Sequence, residues 1–193
     1  MLLDLVCPEC GRHLSADQLQ SVCPACDSPL FARYDLLAAA KSVAPDAIRR
    51  RPAGLWRWAE LLPVRDERFR LTLGEGDTPM LPMPRLAAAL GLRALYIKEE
   101  GTNPTGSFKA RGMAVALSRA AELGVRQVVV PTAGNAGGAL AAYAARAGMK
   151  AHVVLPGDAH PAYRLEAERA GATIHIVDGL IDRAGKEAAR LAK

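Results

Sequence analysis

Four helix-like stretches of this chain stop at a glycine, and a strand-like apolar run follows each of them. The helical patterns run from Leu86 to Leu90, Ser107 to Leu123, Ala136 to Ala147 and Tyr163 to Ala170, ending at Gly91, Gly124, Gly148 and Gly171. Glycine is the residue that takes the left-handed conformation closing a helix. The runs that follow are Ala94–Lys98, Gln127–Val130, Ala151–Leu155 and Thr173–Val177, and a last helical pattern begins near Leu180. Short apolar strands alternating with helices predict an α/β fold with a parallel sheet covered on both faces. His152 and His175 fall inside strand patterns and read as structural. In open sheets of this kind, ligands bind beyond the carboxyl ends of the strands. Three loops are candidates for that position: Asn103–Gly112, Pro131–Gly138 and Pro156–Asp158.

The first of these, Asn103-Pro104-Thr105-Gly106-Ser107-Phe108-Lys109-Ala110-Arg111-Gly112, puts Lys109 just after a Pro/Gly turn at the start of a helix. A helix N-terminus disfavours an added cation, so an ammonium held there gives up its proton more readily. A neutral lysine amine can condense with an aldehyde. The second loop, Pro131-Thr132-Ala133-Gly134-Asn135-Ala136-Gly137-Gly138, leads into an alanine-rich helix. Its small residues let backbone amides approach a ligand closely, and the helix start favours a carboxylate or phosphate. Tight packing of helix on sheet explains the same residues equally well.

The Asn-Pro-Thr-Gly-Ser-Phe-Lys-x-Arg-Gly segment resembles the lysine motif of the tryptophan-synthase-type (fold type II) pyridoxal-phosphate enzymes, and among them most of all the threonine synthases. The second loop resembles the Ser/Thr-x-Gly-Asn loop of that family. Leu73-Gly74-Glu75-Gly76-Asp77-Thr78-Pro79-Met80 is similar to the Gly-Glu-Gly-x-Thr-Pro-Leu signature with which many members enter the domain. The resemblance implies that Lys109 is catalytic and holds pyridoxal 5'-phosphate as an imine, with Phe108 and Asn135 also at the cofactor and Asn135 on its phenolic oxygen. It further implies that Thr132, Ala133, Gly134 and Asn135 surround the substrate carboxylate, while Ser107 and Arg111 support the loop. The reaction it implies is that of a carbon–oxygen lyase, turning O-phospho-L-homoserine and water into L-threonine and phosphate. Within the same family the alternatives are a threonine or serine dehydratase or a cysteate synthase-like enzyme; from a different class, the alternative is a zinc-ribbon α/β binding protein without catalysis. Two residues depart from the threonine synthase pattern: Ala110 replaces an aspartate, and Ala136 replaces a threonine that helps bind substrate phosphate. The sequence reaches Lys193 within a helical pattern and before any Gly-rich phosphate loop of the family type. The expectation is therefore of an amino-terminal part of a longer or split enzyme, which alone binds the cofactor weakly and self-associates.

The amino terminus is of another kind. Cys7-Pro8-Glu9-Cys10 and Cys23-Pro24-Ala25-Cys26 hold all four cysteines. Two C-x-x-C turns supply two thiolates each, enough for a closed tetrahedral zinc site with no open position for a catalytic water. Cys7, Cys10, Cys23 and Cys26 are thus candidate ligands of a structural zinc, and a ribbon of this type also resembles that of some threonine synthases. The division expected is a zinc ribbon over 1–33, a helical connector over 34–70 with two amphipathic patterns broken near Pro45 and Pro52, and part of the catalytic α/β region over 71–193. Trp56 and Trp58 read as packing residues in the connector. Half the residues are hydrophobic and the net charge is +5, with a single short basic run at Arg49–Arg51. Neither nucleic acid nor a membrane is expected as a partner. No apolar run nears the roughly 20 residues of a membrane span, and Met1–Asp4 carries no basic leader, so a cytoplasmic enzyme is expected. A small amino-acid substrate and a homodimer of the full-length enzyme complete the expectations.

Overall fold

A computed structural model describes residues 1–192. Strand β1 (Leu2–Val6) pairs antiparallel with β2 (His13–Leu14) on one side and β3 (Phe31–Tyr34) on the other. This small sheet carries the two cysteine turns. The chain then forms α1 (Leu36–Ser42), whose first turn is capped by the Asp35 carboxylate accepting the Ala38 amide at 2.8 Å. A six-residue helix, α2 (Pro45–Arg50), follows. The second amphipathic pattern of the connector is a kinked 3₁₀ segment, Leu55–Leu61, rather than an α-helix. Pro52 and Pro63 bracket it and Gly54 precedes it at φ 111°, leaving no room for a longer α-helix between them.

Strand β4 (Met80–Pro82), helix α3 (Pro84–Ala89) and β5 (Tyr96–Lys98) come next. Here the structure corrects the sequence pattern. β5 does not join the parallel sheet; it pairs antiparallel with β4 in a two-stranded ribbon, Met80 opposite Lys98. A three-residue strand ending in proline pairs only at an edge. After α4 (Lys109–Glu122) the chain alternates regularly: β6 (Gln127–Pro131), α5 (Ala136–Ala147), β7 (Lys150–Pro156), α6 (Pro161–Arg169), β8 (Thr173–Val177) and α7 (Ile181–Leu191). The three strands are parallel in the order β6-β7-β8.

Side chains alternate across β7, as a pleated strand requires. Val153 and Leu155 pack with Leu117 of α4, Leu140 and Tyr143 of α5 and Ala167 of α6. Val154 faces the other way, against Ala184 and Ala188 of α7. The sheet is therefore covered on both faces. Small residues let α5 come close: a Cβ at Gly137 would stand 2.8 Å from a Val153 methyl. The four helix-closing glycines named from sequence all have left-handed φ, Gly148 at 66° being typical.

The amino-terminal segments clasp the far end of α4. Arg119 donates to the Asp17 carboxylate at 2.9 Å and to the Ala16 carbonyl. Glu122 accepts the amides of Arg65 and Asp66 at 3.0 and 2.6 Å and pairs with Arg119. Among the described residues no helix is long and apolar enough to cross a membrane.

Candidate active site

The lysine turn is built from strained and pinned backbone. Asn103 is buried; its Oδ1 accepts the Gly76 amide at 3.1 Å, and its Nδ2 donates to the Glu100 carbonyl and carboxylate at 2.9 and 3.0 Å. Thr105 has φ 63°, a left-handed conformation costly for a β-branched residue, and its hydroxyl is buried without a partner. Ser107 is buried, and its hydroxyl oxygen accepts the Lys109 amide at 3.4 Å. Lys109 is the first residue of α4. Its Nζ stands 4.1 Å from the centre of the exposed Phe108 ring and makes no hydrogen bond or ion pair with any described residue.

Two residues further on, Arg111 turns to the opposite side and locks the turn from below. Its guanidinium grips Glu100 through Nε at 2.6 Å and Nη2 at 2.8 Å, and reaches the Thr78 hydroxyl at 3.1 Å. Thr78 donates to Glu100 at 2.6 Å. The Arg111 guanidinium, with the Thr78 hydroxyl after it, holds the Glu100 carboxyl down at about 2. Ser107 and Arg111 thus support the loop, as their position in the motif suggests.

The Gly-Glu-Gly segment is the second prop. Glu75 is fully buried; its carboxylate accepts the Tyr143 hydroxyl of α5 and the Leu73 amide at 3.0 Å. Burial and the adjacent carboxylate push the Tyr143 phenol well above its ordinary range. Gly76 has φ 99°, and a Cβ there would lie 2.6 Å from the Leu55 nitrogen. Nothing in the pattern of the sequence marked Glu100 or Tyr143, whose roles depend on partners far along the chain. Glu75 did stand inside a recognised motif.

The asparagine loop meets this assembly because α5 packs against the Pro104–Gly106 turn. Thr132 is buried, its hydroxyl accepting the Gly134 amide at 3.0 Å and donating to the Gly134 carbonyl at 3.1 Å. Ala133 and Asn135 are exposed, and the amides of Ala133, Asn135 and Ala136 find no acceptor among the described residues. Tyr163 of α6 lies behind Gly134, and the Glu166 carboxyl fills the notch over Gly138, where burial pushes it above its usual range. Lys109 and the Thr132–Asn135 loop therefore share one end of the sheet. A primary amine without a polar partner heads α4, and α5, which loop amides able to bind an anion precede, packs against the turn just before it. The third loop, Pro156–Asp158, ends the neighbouring strand, and its Gly157 amide is taken by the Val177 carbonyl at 3.0 Å.

The four cysteine sulfurs lie within 4.8 Å of one another and none is in a disulfide. Each pair sits on a matching knuckle: the Gly11 amide bonds the Cys7 carbonyl at 3.0 Å, and the Asp27 amide bonds the Cys23 carbonyl at 2.9 Å. The sulfur separations of 3.4 and 3.6 Å across the pairs are near the ~3.8 Å edge of a tetrahedral zinc–thiolate site. His13 stands apart from them, paired with Asp4 at 3.0 Å.

Residues 71–193 match the family described as pyridoxal-phosphate dependent enzyme. The chain belongs to this family. The threonine synthase of Methanocaldococcus jannaschii is 43% identical over 150 residues, covering 78% of this chain and 37% of that protein. The threonine synthase of Methanosarcina acetivorans is 41% identical, covering 79% of this chain and 36% of its own. Among solved structures, a pyridoxal 5'-phosphate-dependent aspartate racemase superposes with a TM-score of 0.53 at 31% identity, over 60% of this chain and 36% of that one. This member of the family therefore spans a little over a third of the length of the relatives it matches. Both candidate loops and their props lie inside the matched region.

Proposed function

We propose that this chain carries the lysine half of a threonine synthase-like active site, acting on O-phospho-L-homoserine to form L-threonine and phosphate. The observation that carries the reading is Lys109: an amine without a polar partner, at the head of a braced helix, beside a loop of unsatisfied amides. The orphaned Thr105 hydroxyl in the same turn is a second group in want of a ligand. These residues fit pyridoxal phosphate, which Lys109 would hold and whose ring the Phe108 and Asn135 side chains would flank. When bound, that cofactor supplies an electron sink for charge developing at the substrate α carbon. The Lys109 amine would move protons at the substrate α and β carbons. The Ala133 and Asn135 amides, with Thr132 and Gly134 shaping the loop, orient the substrate carboxylate. Phosphate departs from the γ carbon and water adds at the β carbon. Cys7, Cys10, Cys23 and Cys26 hold a structural zinc that closes the ribbon.

Similarity to threonine synthases at 41–43% identity supports this substrate over others of the family. Ala136 favours a second reading, dehydration of threonine or serine, because a methyl group there offers substrate phosphate no hydroxyl. The experiment is to load the full-length protein with pyridoxal phosphate, reduce with borohydride and map the peptides. Pyridoxyl is expected on Lys109 and absent from the Lys109→Ala protein. Label on Lys98, whose amine is engaged by the Thr78 carbonyl at 2.9 Å, refutes the assignment. Phosphate release from O-phospho-L-homoserine, set against pyruvate or 2-oxobutanoate from serine or threonine, separates the two reactions.

A further inference from the structure

The connector carries no motif, yet it encloses a cavity of about 400 Å³ lined by Arg51, Trp56, Arg57, Glu60 and Arg70 among others. Three arginines and one glutamate are among the residues that line it. Glu60 is already committed: both its oxygens are taken by the Arg51 fork, one at 2.6 Å, and Arg51 is further fixed by the Arg57 carbonyl at 2.7 Å. Arg57 and Arg70 are left with incomplete partners. Arg57 approaches Asp77 only to 3.7 Å, and its remaining donors meet the Pro52 and Arg51 carbonyls at 3.4 Å. Arg70 approaches Glu67 only to 3.7 Å, and its Nε is buried with no acceptor. Asp77 and Glu67 are themselves 58% and 82% exposed, so solvent screens what charge they offer.

Trp56 gives the cavity a fixed wall. Its indole Nε1 donates to the Leu71 carbonyl at 2.7 Å, and the Arg70 guanidinium carbon lies 6.0 Å from the ring centre. Apart from the 3.7 Å approach to Glu67, the outer nitrogens of Arg70 meet no acceptor among the described residues, and an oxyanion in the cavity supplies one. A carboxylate has two oxygens, enough for one bidentate fork. Two forks on one cavity call for a tetrahedral oxyanion.

We propose that this cavity binds phosphate, free or as a small monoester, between Arg57 and Arg70. The site is distinct from the lysine loop but joined to it. Leu55 donates to the Glu75 carbonyl at 3.0 Å, Arg57 faces Asp77, and the next residue, Thr78, bonds Glu100 beneath the lysine turn. Phosphate held here therefore stiffens the prop of the lysine turn from outside.

The test uses the chain with Trp58→Phe, which leaves Trp56 as the sole tryptophan of the two. Inorganic phosphate is titrated in buffer free of phosphate and of pyridoxal phosphate, following Trp56 fluorescence and, in parallel, calorimetric heat. A saturable change is expected, weakened by about tenfold or more in Arg57→Gln and in Arg70→Gln, and retained in Lys109→Ala. Retention in Lys109→Ala separates this site from the cofactor site. Sulfate is expected to compete and acetate not to. Competition by O-phospho-L-serine at matching concentration identifies a monoester site, and its failure identifies a free-phosphate site. The proposal is overturned if phosphate gives no saturable signal, if acetate competes as well as sulfate, or if both arginine variants, shown folded by circular dichroism, titrate like the parent. The parent's sulfate competition stands as a test even where a variant does not fold.

Discussion

Replacing Glu100 by glutamine keeps the shape of the junction under the lysine turn and removes its charge. In the native protein that carboxylate accepts from both donors of the Arg111 fork, from Thr78 and from Asn103. These partners hold its carboxyl at about 2 against an ordinary 4.5, a difference worth about 3 kcal/mol at pH 7. Both side chains of the pair are a little over a quarter exposed, at 28% and 27%, so solvent trims the figure toward about 2 kcal/mol. The sign follows from the depressed value: the stabilisation is complete above pH 4.5 and is lost as pH falls toward 2. Denaturant unfolding followed by circular dichroism from pH 7 to pH 2.5 measures it. Glu100→Gln is expected to lie about 2–3 kcal/mol below the parent at pH 7, with the gap closing below pH 4.5. Asp4, held at about 2 chiefly by Arg33, titrates in the same range but is present in both proteins and cancels. A deficit under about 1 kcal/mol at pH 7, or one that does not change with pH, would refute the reasoning.

Three further outcomes are expected. Gly76→Ala places a methyl 2.6 Å from the Leu55 nitrogen and 2.8 Å from the Gly54 carbonyl carbon at a φ of 99°, against backbone that cannot easily yield, so thermal unfolding should show a loss of at least about 2 kcal/mol. Glu122→Ala leaves two amides without their acceptor and takes from the nearly buried Arg119 one of its two carboxylate partners, Asp17 remaining, and should cost about 3 kcal/mol, lowering the melting temperature by about 10 °C. The purified, reduced chain should contain one zinc per molecule by elemental analysis, and chelation should make residues 1–33 the first site of proteolytic cleavage.

Residues 127–191 show what a sequence can tell. Each strand and helix there answers to a local signal: a β-branched run, an alanine-rich face, a closing glycine. β5 shows what it cannot. Tyr96–Lys98 has the composition of the sheet strands, but its partner was decided by a contact with Met80–Pro82 across a helix, which no periodicity encodes. The connector's second pattern had helical spacing, yet the flanking prolines and Gly54 allowed only 3₁₀ turns. At the candidate site, Lys109 and Asn135 lie within motifs, so their neighbourhood could be anticipated. The braces could not. Glu100 with Arg111 and Glu75 with Tyr143 are pairings over 11 and 68 residues, set by the packed fold. The arginine cavity is of the same kind, since its lining is gathered from several turns of a segment with no motif.

One consequence lies in α4, which begins at Lys109 and is gripped in its last turn by Asp17, Arg65 and Asp66. Fourteen residues make a rod about 21 Å long at 1.5 Å per residue. A swing of only about 5° at the clasped end carries the amine about 2 Å sideways, and a misplacement of about 1 Å costs on the order of a hundredfold in a rate that depends on alignment. The segment that carries the cysteine turns never touches the lysine, yet it holds the far end of the lever that positions the amine: loosening that clasp would leave the amine chemically intact and displaced.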